Sequence, residues 1–214
     1  MRILCFGDSN TWGYDPRDGH RLAKPWTIVL QELMPADKIL TDGMCGRTVQ
    51  GELPTISGSD GKKAFFRRYT NDAFHADWLL LMLGSNDLTN CFVNRGVEDI
   101  AQSLRRYIQA FREVPAHSCT KLLIIAPPPI GSAVLTHPMF EEFFDEHSIE
   151  KSRQLAASLG KMAAEEQVSF LDAGKIVTPS KIDGLHLTEP EHRKLAEAVC
   201  HVLSRPTDEH QGQF

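Results

Sequence analysis

The sequence has no membrane-length apolar run, no paired cysteine spacing, no basic excess and no phosphate-cradling glycine motif. Each absence removes a class of protein. The longest apolar run, 78–83, is the length of a buried strand and far short of a membrane span. Five cysteines are scattered at positions 5, 45, 91, 119 and 200, never as C-x-x-C. An odd, scattered set reads as reduced thiols, not as a disulfide framework or a zinc site, and a cytoplasmic setting is expected. A net charge of -5 leaves no basic footprint for nucleic acid. Neither G-x-x-x-x-G-K-[ST] nor G-x-G-x-x-G occurs, so nothing marks a nucleotide phosphate site. Met1-Arg2-Ile3 runs straight into apolar sequence, so no signal peptide is expected.

What is present is an ordinary globular composition. Hydrophobic residues make up 42% and charged residues 24% of 214 residues, enough chain for one sizeable core. Repeats, low-complexity tracts and linkers are lacking. One domain over 1–205 is therefore expected, with a polar tail at 206–214.

Short apolar runs alternate with stretches of helical periodicity. Strands are expected at 2–6, 38–40, 77–83, 121–126 and 168–171. Helices are expected at 25–33, 63–74, 96–114, 139–166 and 189–203; Pro25 and Pro190 suit first helical turns. Pro127-Pro128-Pro129 stops the fourth strand abruptly. Residues 51–63 read as an irregular loop. The alternation predicts an α/β fold, a parallel sheet of five strands covered by helices on both faces.

Four polar clusters each follow a strand or lie on the last long loop. They are Gly7-Asp8-Ser9, Cys45-Gly46-Arg47, Gly84-Ser85-Asn86-Asp87 and Asp183-Gly184-Leu185-His186. Parallel strands deliver their carboxyl ends to one rim, so residues far apart in sequence can meet there. Ester hydrolysis needs a nucleophile, a base, a group orienting that base and donors for the oxyanion. Ser9 is the candidate nucleophile and His186 the base, since imidazole titrates near neutrality. Asp183, three residues earlier, can curl back to the other ring nitrogen. Asn86 offers an amide donor, and Ser9 and Gly46 offer backbone N–H groups; glycine at 46 suits a backbone that approaches substrate closely. Asp8 is expected to brace the loop that aims Ser9, because Asp183 and not Asp8 shares a loop with His186.

Each residue also has a plainer use: Asp8, Asn10 and Asp183 as turn residues, Asn86 and Asp87 as caps, His186 as one histidine among nine. It is their joint order at strand ends that favours chemistry. A metal site of Asp183, His186 and His192 is disfavoured, since the histidines lie six residues apart, outside the short helical spacing of zinc pairs. A non-catalytic binding module on the same fold would not need a candidate for every role.

The four clusters resemble the blocks of the GDSL family of lipases and esterases, in its SGNH hydrolase division. Asn10 stands where the family name has leucine, a departure expected to be tolerated, and the second block lacks an asparagine often found beside its glycine. The run from Arg2 to Gly13, Pro127-Pro128-Pro129, His137-Pro138 and Phe170-Leu171-Asp172-Ala173-Gly174 are similar to the bacterial aryl esterase and acyltransferase branch. The resemblance implies a flavodoxin-like three-layer α/β/α fold, a small acyl-ester substrate and no cofactor. It further implies acyl transfer to alcohols or peroxide, and homo-oligomers, with neither nucleic acid nor membrane as partner. Trp12 and the 139–144 loop are candidate substrate-binding residues. Thioesters, lysophospholipids and acetylated sugars are the alternative substrates within the family.

Overall fold

The computed structural model describes residues 1–204; residue 205 and the expected tail at 206–214 lie outside the described residues. Five parallel strands form one sheet: β1 (Arg2–Gly7), β2 (Lys38–Gly43), β3 (Trp78–Met82), β4 (Lys121–Ala126) and β5 (Ser169–Asp172). Their spatial order is β2-β1-β3-β4-β5, every neighbouring pair parallel. This is the doubly wound order of flavodoxin-like folds, whose switch point falls between β1 and β3.

The strands are apolar on both sides because both faces are covered. Leu4, Phe6, Leu79, Leu81, Leu122 and Ile124 enter one core. There they meet α3 (Gly61–Tyr69), α4 (Val97–Arg112) and α5 (Glu146–Glu165). Ile3, Cys5, Trp78, Leu80, Leu123 and Ile125 enter the other, under α2 (Trp26–Leu33) and α6 (Glu189–Leu203). The alternation within each strand is the period of two that a pleat imposes.

Several boundaries differ from expectation, each for a local reason. Pro25 is the N-cap of α2 and lies just outside it. β2 runs on to Gly43 because its register with β1 continues to Gly7. The third helix starts at Gly61, where Asp60 accepts from the Lys63 N–H, and stops at Tyr69. The fifth starts at Glu146 and not at 139. Asp145 and Ser148 form its capping box, and residues 139–144 are turns ahead of it. Among the described residues no helix is long and apolar enough to cross a membrane.

Candidate active site

The site is assembled on the carboxyl rim of the sheet, at the switch point. β1 ends at Gly7, and a single helical turn, α1 (Ser9–Trp12), follows. Asp8 caps it: one carboxylate oxygen accepts from the Asn10 N–H at 3.0 Å. Asp8 thus braces the turn that carries Ser9. Burial pushes its carboxyl up to about 7, against the Asn10 N–H and the Arg47 charge.

The histidine arrives on the loop between β5 and α6. Its main chain is held by Ser180, whose N–H donates to the His186 carbonyl. Leu185 and Leu187 on either side are buried. His186 Nε2 lies 2.9 Å from Ser9 Oγ, and its Nδ1 lies 2.6 Å from Asp183 Oδ2. The other Asp183 oxygen accepts from the Leu185 and His186 N–H groups at 2.9 and 3.1 Å. Burial alone would raise the Asp183 carboxyl, but these bonds and the facing imidazole hold it below the usual range. An ionised Asp183 fixes the tautomer, since Nδ1 must carry the proton it donates. Nε2 is then left to accept from Ser9. All three side chains are buried, with Ser9 keeping 6% of its surface.

The second wall is the 44–50 loop after β2. Gly46 has φ of +75°, and a Cβ there would lie 2.3 Å from Ile56 Cδ1. The left-handed backbone itself favours glycine here, and a side chain would also have to displace the Ile56 terminal methyl. The buried Arg47 side chain fastens this loop. It donates to the Gly7 and Asp42 carbonyls, pairs with the Asp42 carboxylate at 2.8 Å, and sits 4.1 Å over the Phe6 ring. From β3, Asn86 Nδ2 donates to the Arg47 carbonyl at 3.0 Å. Asp87 accepts from the Val49 N–H at 2.7 Å and pairs with Arg95. Burial pushes the Asp87 carboxyl up to about 6, opposed by those two partners. No acceptor among the described residues takes the Ser9 or Gly46 N–H. One Asn86 amide hydrogen is left as well. The segments after β1, β2 and β3 thus each carry a donor left over: the Ser9 N–H, the Gly46 N–H and one Asn86 amide hydrogen.

Two rings close the histidine side. After the turn at Gly13, Tyr14 stacks on the His186 imidazole, with centroids 4.1 Å apart and planes 28° apart. Phe140 lies 5.5 Å from the same imidazole, and the Tyr14 hydroxyl reaches Met139 Sδ at 3.7 Å. The 139–144 loop thus borders the site. Trp12 is half-buried with Arg21 over its ring at 6.0 Å, so the aromatic lying on the imidazole is Tyr14. Sequence reasoning missed Tyr14, named Arg47 without a role and read Asn10 only as a turn residue. No periodic signal marks them, because each acts through a contact with a distant segment. His192 is engaged elsewhere: its Nδ1 accepts from the Trp26 N–H at the start of α2. Among the described residues no three His, Cys, Asp or Glu side chains gather as a metal site would need.

Fold and geometry together define a serine-hydrolase arrangement on a flavodoxin-like sheet. Residues 5–194 match the GDSL-like lipase/acylhydrolase family, and the chain belongs to that family, whose class is carboxylic ester hydrolase. Among solved structures, the aryl esterase of M. smegmatis is 31% identical with a TM-score of 0.83, over 95% of this chain and 98% of that one. Est24, a carbohydrate acetylesterase from Sinorhizobium meliloti, is 27% identical with a TM-score of 0.83, over 95% and 98%. No curated protein sequence matches the chain.

Proposed function

We propose that the protein is a serine esterase that hydrolyses short-chain acyl esters, acetyl and aryl esters among them, through a covalent acyl-enzyme. The observation that carries this is the relay from Ser9 Oγ through His186 to Asp183, at 2.9 and 2.6 Å. His186 takes the Ser9 proton as Oγ attacks the ester carbonyl, and Asp183 stabilises the imidazolium that forms. The oxyanion settles against the Ser9 and Gly46 N–H groups and the Asn86 amide. Each such donor contributes about a hundred- to a thousand-fold in rate. His186 returns the proton to the leaving alkoxide. Water, or another alcohol or peroxide acting as acceptor, then releases the acyl group by the same steps in reverse.

Two observations support small substrates. Tyr14 and Phe140 crowd the imidazole, leaving a rigid aromatic border beside the leaving group. Similar structures of like coverage are an aryl esterase and a carbohydrate acetylesterase. A p-nitrophenyl ester series from acetate to palmitate tests the reading. The expected kcat/KM is highest at the shortest chains, and a maximum at long chains overturns the preference.

A further inference from the structure

Asn10 occupies the position at which the family name has leucine, and its side chain crosses to the histidine loop. Its Oδ1 accepts from the Leu187 N–H at 2.9 Å, and its Nδ2 donates to the Leu185 carbonyl at 3.3 Å. One planar carboxamide therefore spans His186, bonding the residue before it and the residue after it. Asn10 is 2% exposed, and Leu185 and Leu187 are buried with it. Its own N–H is held by Asp8, so the amide is carried on the capped turn that also carries Ser9.

We propose that Asn10 is a positioning residue, which sets the distance and angle between Ser9 and His186 by tying the nucleophile's turn to both flanks of the base. The proposal rests on the Ser9–His186 reading above. Ser9 and His186 belong to segments 177 positions apart, and their 2.9 Å contact is a single hydrogen bond between side chains that must exchange a proton. The Asn10 bonds lie one residue away on each side and run to backbone, so they constrain the approach without entering the chemistry. A leucine has the same branched heavy-atom outline, though bulkier, but could neither accept from Leu187 nor donate to Leu185. The cost then falls on alignment. Displacements of about 1 Å can cost about a hundred-fold when reacting groups are involved.

The test compares Asn10→Leu and Asn10→Ala with wild type in two assays: p-nitrophenyl acetate turnover, and the rate at which a fluorophosphonate phosphonylates Ser9. Both variants are expected to lose about ten- to a hundred-fold in kcat, with KM within about two-fold and phosphonylation slowed in the same ratio. Val199→Ala, a core truncation on α6, serves as a stability control, expected to lower the melting temperature while leaving kcat unchanged below it. The proposal is overturned if folded Asn10 variants keep kcat and phosphonylation within two-fold of wild type. It is equally overturned if Val199→Ala loses as much kcat. Should Asn10→Leu not fold, Asn10→Ala decides by the same readings; failure of both to fold makes Asn10 a folding residue and overturns the positioning role. Ser9→Ala, run alongside, separates the two claims. If it stays active, the serine mechanism itself fails; if it is inactive while the Asn10 variants are unimpaired, only the Asn10 proposal fails.

Discussion

Replacing Asp183 by asparagine tests the relay at its most constrained point, because both carboxylate oxygens are engaged. Oδ1 accepts from two backbone N–H groups, and Oδ2 accepts from His186 Nδ1. An amide has one oxygen. Turning its NH2 toward the two N–H groups would set donors against donors, so the oxygen stays there and the NH2 faces the imidazole. Nδ1 must then accept, the proton moves to Nε2, and His186 presents an N–H to Ser9 where it needs a lone pair. Reaching the productive tautomer sacrifices a hydrogen bond to a charged group, worth about 1.5–3 kcal/mol. The imidazolium also loses a facing charge worth about 4 kcal/mol at an effective dielectric of about 20. Together these amount to about 5.5–7 kcal/mol, or about ten-thousand- to a hundred-thousand-fold in rate at about 1.4 kcal/mol per factor of ten. The fold should survive, because the Oδ1 bonds to the loop persist. The assay is kcat/KM for p-nitrophenyl acetate beside a melting curve. An Asp183→Asn protein that melts as wild type and keeps more than a tenth of the activity would refute the reasoning.

Two further outcomes follow from the packing around the site. His192 is buried with Nδ1 accepting from the Trp26 N–H, and burial, reinforced by the His186 charge, pushes it down to about 4. The unfolded chain binds this proton near 6.5, so between 6.5 and 4 it holds more protons than the folded one. The stability contributed is therefore full above about 6.5 and declines by about 3 kcal/mol as the pH falls toward 4. Urea unfolding from pH 7 to 4 should show a steeper acid decline in wild type than in His192→Gln; equal slopes would count against the assignment. At the end of β2, a Cβ on Gly43 would stand 2.2 Å from the Trp12 backbone nitrogen and 2.6 Å from the Thr11 carbonyl carbon. Gly43→Ala should therefore push α1 outward, lowering the melting temperature by about 5–10 °C and kcat/KM by about ten-fold. A variant unchanged in both would mean that α1 is not seated as described.

Legibility in the sequence followed the range of the interactions. β4 and α6 could be read to the residue, since Pro127-Pro128-Pro129 and Pro190 are local stop and start signals. α5 could not: Phe140, Phe143 and Phe144 mimic helical spacing, but they pack as turns on one core and beside the site. Its true start lay in the Asp145–Ser148 capping box, which outweighs a few periodic aromatics. The parallel sheet and its two covered faces were visible because both-face burial makes continuous apolar runs. At the site, Ser9, Asn86, Asp183 and His186 stood out as polar residues at strand ends or on the last loop; the structure joins Ser9, His186 and Asp183 by hydrogen bonds and ties Asn86 to the Arg47 carbonyl. The supporting layer was invisible. Arg47 reads as a surface cation until Asp42, Gly7 and Phe6 surround it, and Tyr14 reads as a loop aromatic until it lies on His186. Asn10 reads as a turn residue until the loop some 175 positions later arrives beside it.

The central claim is that Ser9 carries the acyl group, and the direct measurement is mass spectrometry of the enzyme quenched in acid during turnover of p-nitrophenyl acetate. Peptide mapping should find one acetyl group on the peptide containing Ser9, and none in Ser9→Ala, which should also be inactive. Continued turnover by Ser9→Ala, or acetyl found on another residue of the turning-over enzyme, would contradict the account.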